Sequence, residues 1–114
     1  MNLQSLAHVE PFTTKDGSTI RELHHTPLQS LAEAALEPDQ ATKRHYHGRT
    51  EEIYLVAKRA GSLEVDGETR RIRPGDAVLI PPGAWHMLEN DGTSELLILC
   101  MCAPPYSDED TFFE

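Results

Sequence analysis

Apolar and polar positions alternate over short stretches of this chain, and glycine or proline interrupts them about every 10 residues, the spacing expected of a strand-rich domain. The runs Ser62–Val65, Thr69–Arg73, Ala77–Ile80 and Glu95–Cys102 have the length and aliphatic content of strands. Asp16-Gly17, Asp66-Gly67 and Asp91-Gly92 each lie between residues that suit strands. Asp-Gly is a hairpin signal, because Gly adopts positive φ freely and Asp tolerates it. Pro74-Gly75 and Pro81-Pro82-Gly83 mark two more turns. Only Leu28–Leu36 also reads as a helix, and it is short. The pattern predicts an all-β sandwich or closed barrel. The tail Ala103–Glu114 carries two prolines and four acidic residues, so it is expected on the surface outside the sheet, pinned by Phe112 and Phe113.

At 114 residues the chain is one domain's worth, and no linker or low-complexity tract divides 1–114. Nineteen acidic against 10 basic residues give a formal charge of −9. That balance argues against nucleic acid or an anionic membrane surface as partner, because phosphate backbones demand clustered Lys and Arg. The one basic cluster, Arg70, Arg71 and Arg73, is expected to pair across a hairpin with Glu64, Asp66 and Glu68. Cys100 and Cys102 are spaced C-x-C in an apolar run, where disulfide geometry is rarely met. No apolar stretch is long enough to span a bilayer, and Met1–Glu10 lacks the pattern of a secretory leader. A reducing, cytoplasmic location is the expectation.

His45-Tyr46-His47 places two imidazoles on one face of a strand, because side chains alternate sides. Glu51-Glu52 follows at the start of the next strand, Ile53–Val56, and His86 follows the turn at Pro81-Pro82-Gly83. Three imidazoles and a carboxylate suit one divalent first-row ion and leave positions open for water or substrate. Iron, manganese, nickel, cobalt, zinc and copper are all compatible with that set.

These residues carry a family pattern. One motif of the cupin superfamily reads G-x5-H-x-H-x3–4-E-x6-G and the other G-x5-P-x-G-x2-H-x3-N. Gly75, Pro81, Gly83, His86 and Asn90 meet the second in full. His45, His47 and Glu52 meet the first, with Asp39 and Arg59 standing where its glycines fall. The chain therefore resembles a small cupin, motif 1 over about 39–59 and motif 2 over about 75–90. The resemblance implies a double-stranded β-helix (jelly-roll) barrel, a metal on His45, His47, Glu52 and His86, and a homodimer. Either Glu51 or Glu52 satisfies the motif's spacing. Glu52 is favoured, because Thr50–Val65 then resembles many small cupins without gaps. Arg takes a left-handed conformation less easily than Asp or Gly, so the turn at Lys58–Gly61 is expected to differ, with Gly61 taking the positive φ.

Other residues divide between a role in the site and a plainer one. Tyr54 shares a face with Glu52 and would be a proton donor or substrate anchor, against a core aromatic with its hydroxyl satisfied. Lys43 shares the face of His45 and would meet an anionic substrate unless it is simply exposed. Arg21, His24, Gln29 and Glu33 lie on strands of unassigned register, and His8, His24 and His25 read as surface histidines. Trp85 faces away from His86 and is expected outside the barrel, under the tail or at a dimer contact. Cys100 and Cys102 read as small buried apolar residues, with Cys102 as a soft ligand the alternative. Asn90 is expected to cap the turn at Asp91-Gly92. The functional expectation is a metal-dependent enzyme, an oxygenase or isomerase acting on a small oxygenated compound, with Glu52 and Tyr54 as catalytic groups. The alternative is a metal-dependent small-ligand binding or sensor module without turnover. A metal-free cupin with vestigial ligands stands third.

Overall fold

Because successive side chains of a strand point to opposite faces, a strand with one buried face shows burial at every second residue. Glu52, Tyr54 and Val56 are buried in one strand, and Leu96, Ile98 and Cys102 in another, with more exposed residues between them. The computed structural model describes residues 1–114 and contains eleven strands. They are β1 (Phe12–Thr13), β2 (Thr19–His25), β3 (Ser30–Leu36), β4 (His45–His47), β5 (Glu51–Lys58) and β6 (Gly61–Val65). β7 (Glu68–Ile72), β8 (Ala77–Ile80), β9 (His86–Glu89), β10 (Leu96–Ala103) and β11 (Thr111–Phe113) complete the set. The helical content is one 3-10 turn, Asp108–Asp110.

The strands form a six-stranded sheet, β1-β2-β3-β10-β5-β8, and a five-stranded sheet, β11-β4-β9-β6-β7, paired antiparallel throughout. This is the jelly-roll architecture. Leu36, Tyr54, Val56, Leu63, Ile72, Ile80, Ala84, Leu88, Leu96 and Ile98 form the apolar core between the sheets. Register then fixes the polar end. His45 lies opposite His86 across β4–β9, Cys102 opposite Glu52 across β10–β5, and Thr111 opposite His47 across β11–β4.

Several expectations change. Leu28–Leu36 is no helix: Ser30–Leu36 is β3, with both sides covered at Glu33–Leu36, which hides the alternation. The tail does not lie outside the sheet, because Thr111–Phe113 pairs with His45–His47 as an added edge strand. Asp16-Gly17 and Asp66-Gly67 turn hairpins, but Asp91-Gly92 does not; β9 pairs with β4 and β6, and the chain crosses there to β10 in the other sheet. Arg59 itself takes the left-handed conformation at φ +69, as Asp39 does at φ +65, and Gly61 does not. Gly61 is needed for space instead: a Cβ there would stand 2.7 Å from Leu96 Cδ2 and 2.8 Å from the Glu89 carbonyl oxygen. The arginines do not pair across their hairpin. Arg70 bonds Glu68 along its own strand, Arg71 bonds Asp91, and Glu64 is taken by Arg44. Asn90 does cap its turn. It is wholly buried, its Oδ1 accepts from Gly92 N, and its Nδ2 donates to the carbonyls of Ser94 and Leu36, tying β3 to the crossover.

Candidate metal centre

His45, His47 and His86 are all buried, and their candidate ligand nitrogens lie within 4.8 Å of one another. Each ring is oriented through Nδ1. His45 Nδ1 donates to the Lys43 carbonyl at 2.7 Å and His86 Nδ1 to the Ala84 carbonyl at 3.0 Å. His47 Nδ1 lies 3.0 Å from Thr111 Oγ1, whose own hydrogen goes to the Ser107 carbonyl at 2.8 Å, so the hydroxyl accepts from the ring. With every Nδ1–H engaged, each Nε2 carries a free lone pair, which is the tautomer a metal requires. Burial, then the charge of His86, lowers the pKa of His45 and favours its neutral form.

The facing sheet supplies the carboxylate. Glu52 is buried and Glu51 exposed. Glu52 Oε1 lies 3.3 Å from His47 Nε2 and 3.5 Å from His86 Nε2. Burial pushes its carboxyl up, but the facing imidazoles of His47 and His86 outweigh that and hold it at about 2, so it is a carboxylate at neutral pH. Its other oxygen, Oε2, accepts from Cys102 Sγ at 3.4 Å. Burial first, then the charge of Glu52, raises the Cys102 thiol, which makes it an S–H donor rather than a thiolate ligand. Glu52 Oε1 and His86 Nε2 are both buried without a hydrogen-bond partner. A buried unpartnered polar atom costs about 1–3 kcal/mol, and here two such atoms, Glu52 Oε1 and His86 Nε2, lie 3.5 Å apart. The residues present therefore fit a cation at this point.

A cavity of about 670 Å³, its open mouth included, is lined by His45, His47, Glu52 and Cys102. Tyr54, Leu88, Ile98 and Cys100 are among its lining residues. The Tyr54 ring lies 5.9 Å from that of His86. Burial, then the charge of Glu52, pushes the Tyr54 phenol well above its ordinary value, so it holds its proton. The tail contributes as well. Tyr106 lines the cavity, and Asp110 accepts from the backbone N–H groups of Arg49 and Thr50 at 3.0 and 3.1 Å. These bonds clamp the β4–β5 turn that separates His47 from Glu52.

Several candidates fall outside the cavity. Lys43 and Gln29 are exposed. Arg21 reaches Glu33 at 4.0 Å, on the face of β2 and β3 opposite the lining residues Ile20, Glu22, Ala32 and Ala34. Trp85 packs edge-on against Tyr46, which stacks on Phe112 of the tail. Sequence reasoning missed Asp16 and Thr111. Asp16 lines the cavity with Oδ2 4.0 Å from His45 Nε2, and Thr111 holds His47.

This barrel, with its histidine cluster facing a carboxylate, is that of a cupin, and the cupin domain family matches residues 32–102. The chain belongs to that family. It is 44% identical over 108 residues to uncharacterized protein MJ1618 of Methanocaldococcus jannaschii, covering 90% of this chain and 86% of that one. It is 27% identical over 81 residues to an oxalate-binding protein of Thermotoga maritima, covering 71% and 67%. Among solved structures it superposes on KdgF from Halomonas sp. with TM-score 0.84, 22% identity and coverage of 96% and 97%. It superposes on Streptomyces Pac13, described as a nucleoside dehydratase, with TM-score 0.80, 16% identity and coverage of 97% and 88%. At those identities the structural matches show the fold alone.

Proposed function

We propose that this cupin is a metal-dependent enzyme of oxygenase or isomerase type acting on a small oxygenated compound, with one divalent ion held by His45, His47, His86 and Glu52. The observation that carries the reading is the pair of buried, unpartnered atoms, Glu52 Oε1 and His86 Nε2, beside two more imidazoles whose Nδ1 atoms are already engaged. When bound, such an ion supplies Lewis-acid polarisation of substrate oxygens, and redox chemistry where it is iron, manganese or copper. The chain's own groups do the rest. Glu52 presents Oε1 to the centre while Cys102 holds Oε2. Tyr54, protonated, buried and lining the cavity, is the hydrogen-bond donor to a substrate oxygen. Leu88 and Ile98 give that cavity an apolar wall. Enzymes of the superposed barrels, one described as a nucleoside dehydratase, support an enzymatic reading of this cavity. The test is turnover of a panel of hydroxy-carbonyl and enediol compounds by wild type and by His47→Ala. Full activity in His47→Ala refutes the assignment.

A second reading is favoured by one observation, the similarity to a protein named for binding oxalate. Under it the same centre holds a ligand without converting it. Tight binding of a compound that is recovered unchanged after long incubation supports this reading, and any turnover removes it. The homodimer expected from the family stays a proposal, tested by sedimentation velocity.

A further inference from the structure

The charged side chains lining the cavity are all carboxylates: Asp16, Glu22 and Glu52, with no Lys or Arg among the lining residues. Glu22 has His25 Nδ1 as a neighbour at 3.0 Å. Asp16 is not balanced. Its Oδ1 is anchored by three donors, Thr14 Oγ1, Ser18 N at 2.9 Å and Ser18 Oγ at 2.7 Å. The turn bearing it is tied to the chain leading into β4, because Lys43 N donates to the Asp16 carbonyl at 2.9 Å and Gln40 Nε2 donates to the Gly17 carbonyl. These bonds fix the carboxylate and leave Oδ2 without a hydrogen bond, 4.0 Å from His45 Nε2. Glu52, which also lines the cavity, carries a buried unpartnered oxygen, Oε1.

We propose that the cavity selects an uncharged polyhydroxy or hydroxycarbonyl compound, with Asp16 as the specificity-determining residue that accepts a hydrogen bond from it and turns anions away. The inference rests on the metal-centre reading above. The two positive charges of a divalent ion are matched there by Glu52 and Asp16, and no cationic side chain remains for a second anionic group. A dicarboxylate or a phosphorylated sugar would lay its negative charge against Asp16 in a partly dry cavity, where like charges repel strongly. A hydroxyl offers Oδ2 the donor it lacks.

The test uses cobalt-loaded protein and its visible absorption spectrum. Oxalate is the dianionic probe and imidazole the uncharged one, each titrated into wild type, Asp16→Asn and Glu22→Gln. Asp16→Asn keeps an oxygen for Thr14 and Ser18, removes the charge and replaces the acceptor Oδ2 by an NH2 donor. The expected result is oxalate binding at least about tenfold tighter in Asp16→Asn, with imidazole within about twofold of wild type. Glu22→Gln, which touches none of the Asp16 turn, shifts oxalate in the same direction by less. A general loosening of the site would weaken both probes together. Oxalate affinity unchanged or weakened in both variants, in protein that shows the cobalt spectrum, overturns this proposal and leaves the metal centre standing. Absence of any cobalt spectrum in wild type overturns both.

Discussion

Thr111→Val isolates the contribution of the C-terminal strand to the histidine cluster. The hydroxyl is buried, accepts from His47 Nδ1 at 3.0 Å and donates to the Ser107 carbonyl at 2.8 Å. Valine keeps the shape and the strand preference but leaves the buried N–H of His47 without an acceptor. An unsatisfied buried donor costs about 1–3 kcal/mol, and the half-buried Ser107 carbonyl adds less because it keeps its bond from Asp110 N at 3.2 Å. The expected loss is about 2–3 kcal/mol of folding stability in metal-free protein, small enough against an ordinary 5–15 kcal/mol to leave the chain folded. His47 is then free to rotate or change tautomer, and affinity for a divalent ion falls roughly 10- to 100-fold. Thr111→Ser keeps both hydrogen bonds and loses one methyl, about 1 kcal/mol and little metal affinity. Urea titration of the metal-free proteins gives the first quantity, and competition for zinc against a chromophoric chelator gives the second. Equal zinc affinity in wild type, Thr111→Val and Thr111→Ser would refute the argument that the tail orients a ligand.

Gly61→Ala should lose about 1–3 kcal/mol in urea unfolding, because its Cβ would meet Leu96 Cδ2 at 2.7 Å and the Glu89 carbonyl at 2.8 Å. Arg59→Gly, at φ +69, should unfold at the same or higher urea concentration, since the left-handed conformation costs an L-residue roughly 1–2 kcal/mol. Burial alone would raise the Asp110 carboxyl, but backbone hydrogen bonds from Arg49 and Thr50 hold it below its ordinary 3.8. Its contribution to stability is therefore complete above that value and lost as pH falls through the lower folded value. Asp110→Asn should be less stable at neutral pH, with the gap to wild type closing in strong acid, as followed by circular dichroism. Adding an ion at about 100 times its Kd should raise the melting temperature by roughly 10 °C, and a chelator should reverse it.

Short strands between turns and the resemblance on His45, His47, Glu52 and on Gly75, Pro81, Gly83, His86 and Asn90 carried the barrel, and the i, i+2 spacing of His45 and His47 put those two imidazoles on one face. Alternation alone left Glu51 and Glu52 open, and the gap-free resemblance over Thr50–Val65 favoured Glu52. Asp16 was not legible, because its place depends on how the β1–β2 turn folds against Gln40 and Lys43, pairings across more than 20 residues that no local pattern encodes. Thr111 was hidden for a different reason. The acidic, proline-containing stretch before it reads as solvated chain, yet Asp110 turns its charge inward onto three backbone bonds and brings β11 alongside β4. The reversal at Arg59 and Gly61 shows a third limit. A motif glycine can be replaced at modest cost where only φ is at stake, whereas a glycine kept for space, as at Gly61, is invisible until Leu96 and Glu89 are in position.

The most direct test of the central claim is the element content of protein purified on a metal-free matrix, measured by inductively coupled plasma mass spectrometry beside His47→Ala prepared in parallel. The account predicts close to one divalent ion per chain in wild type and almost none in the variant. No bound metal in wild type, even after incubation with iron, manganese, cobalt, nickel, copper and zinc in turn, would contradict it.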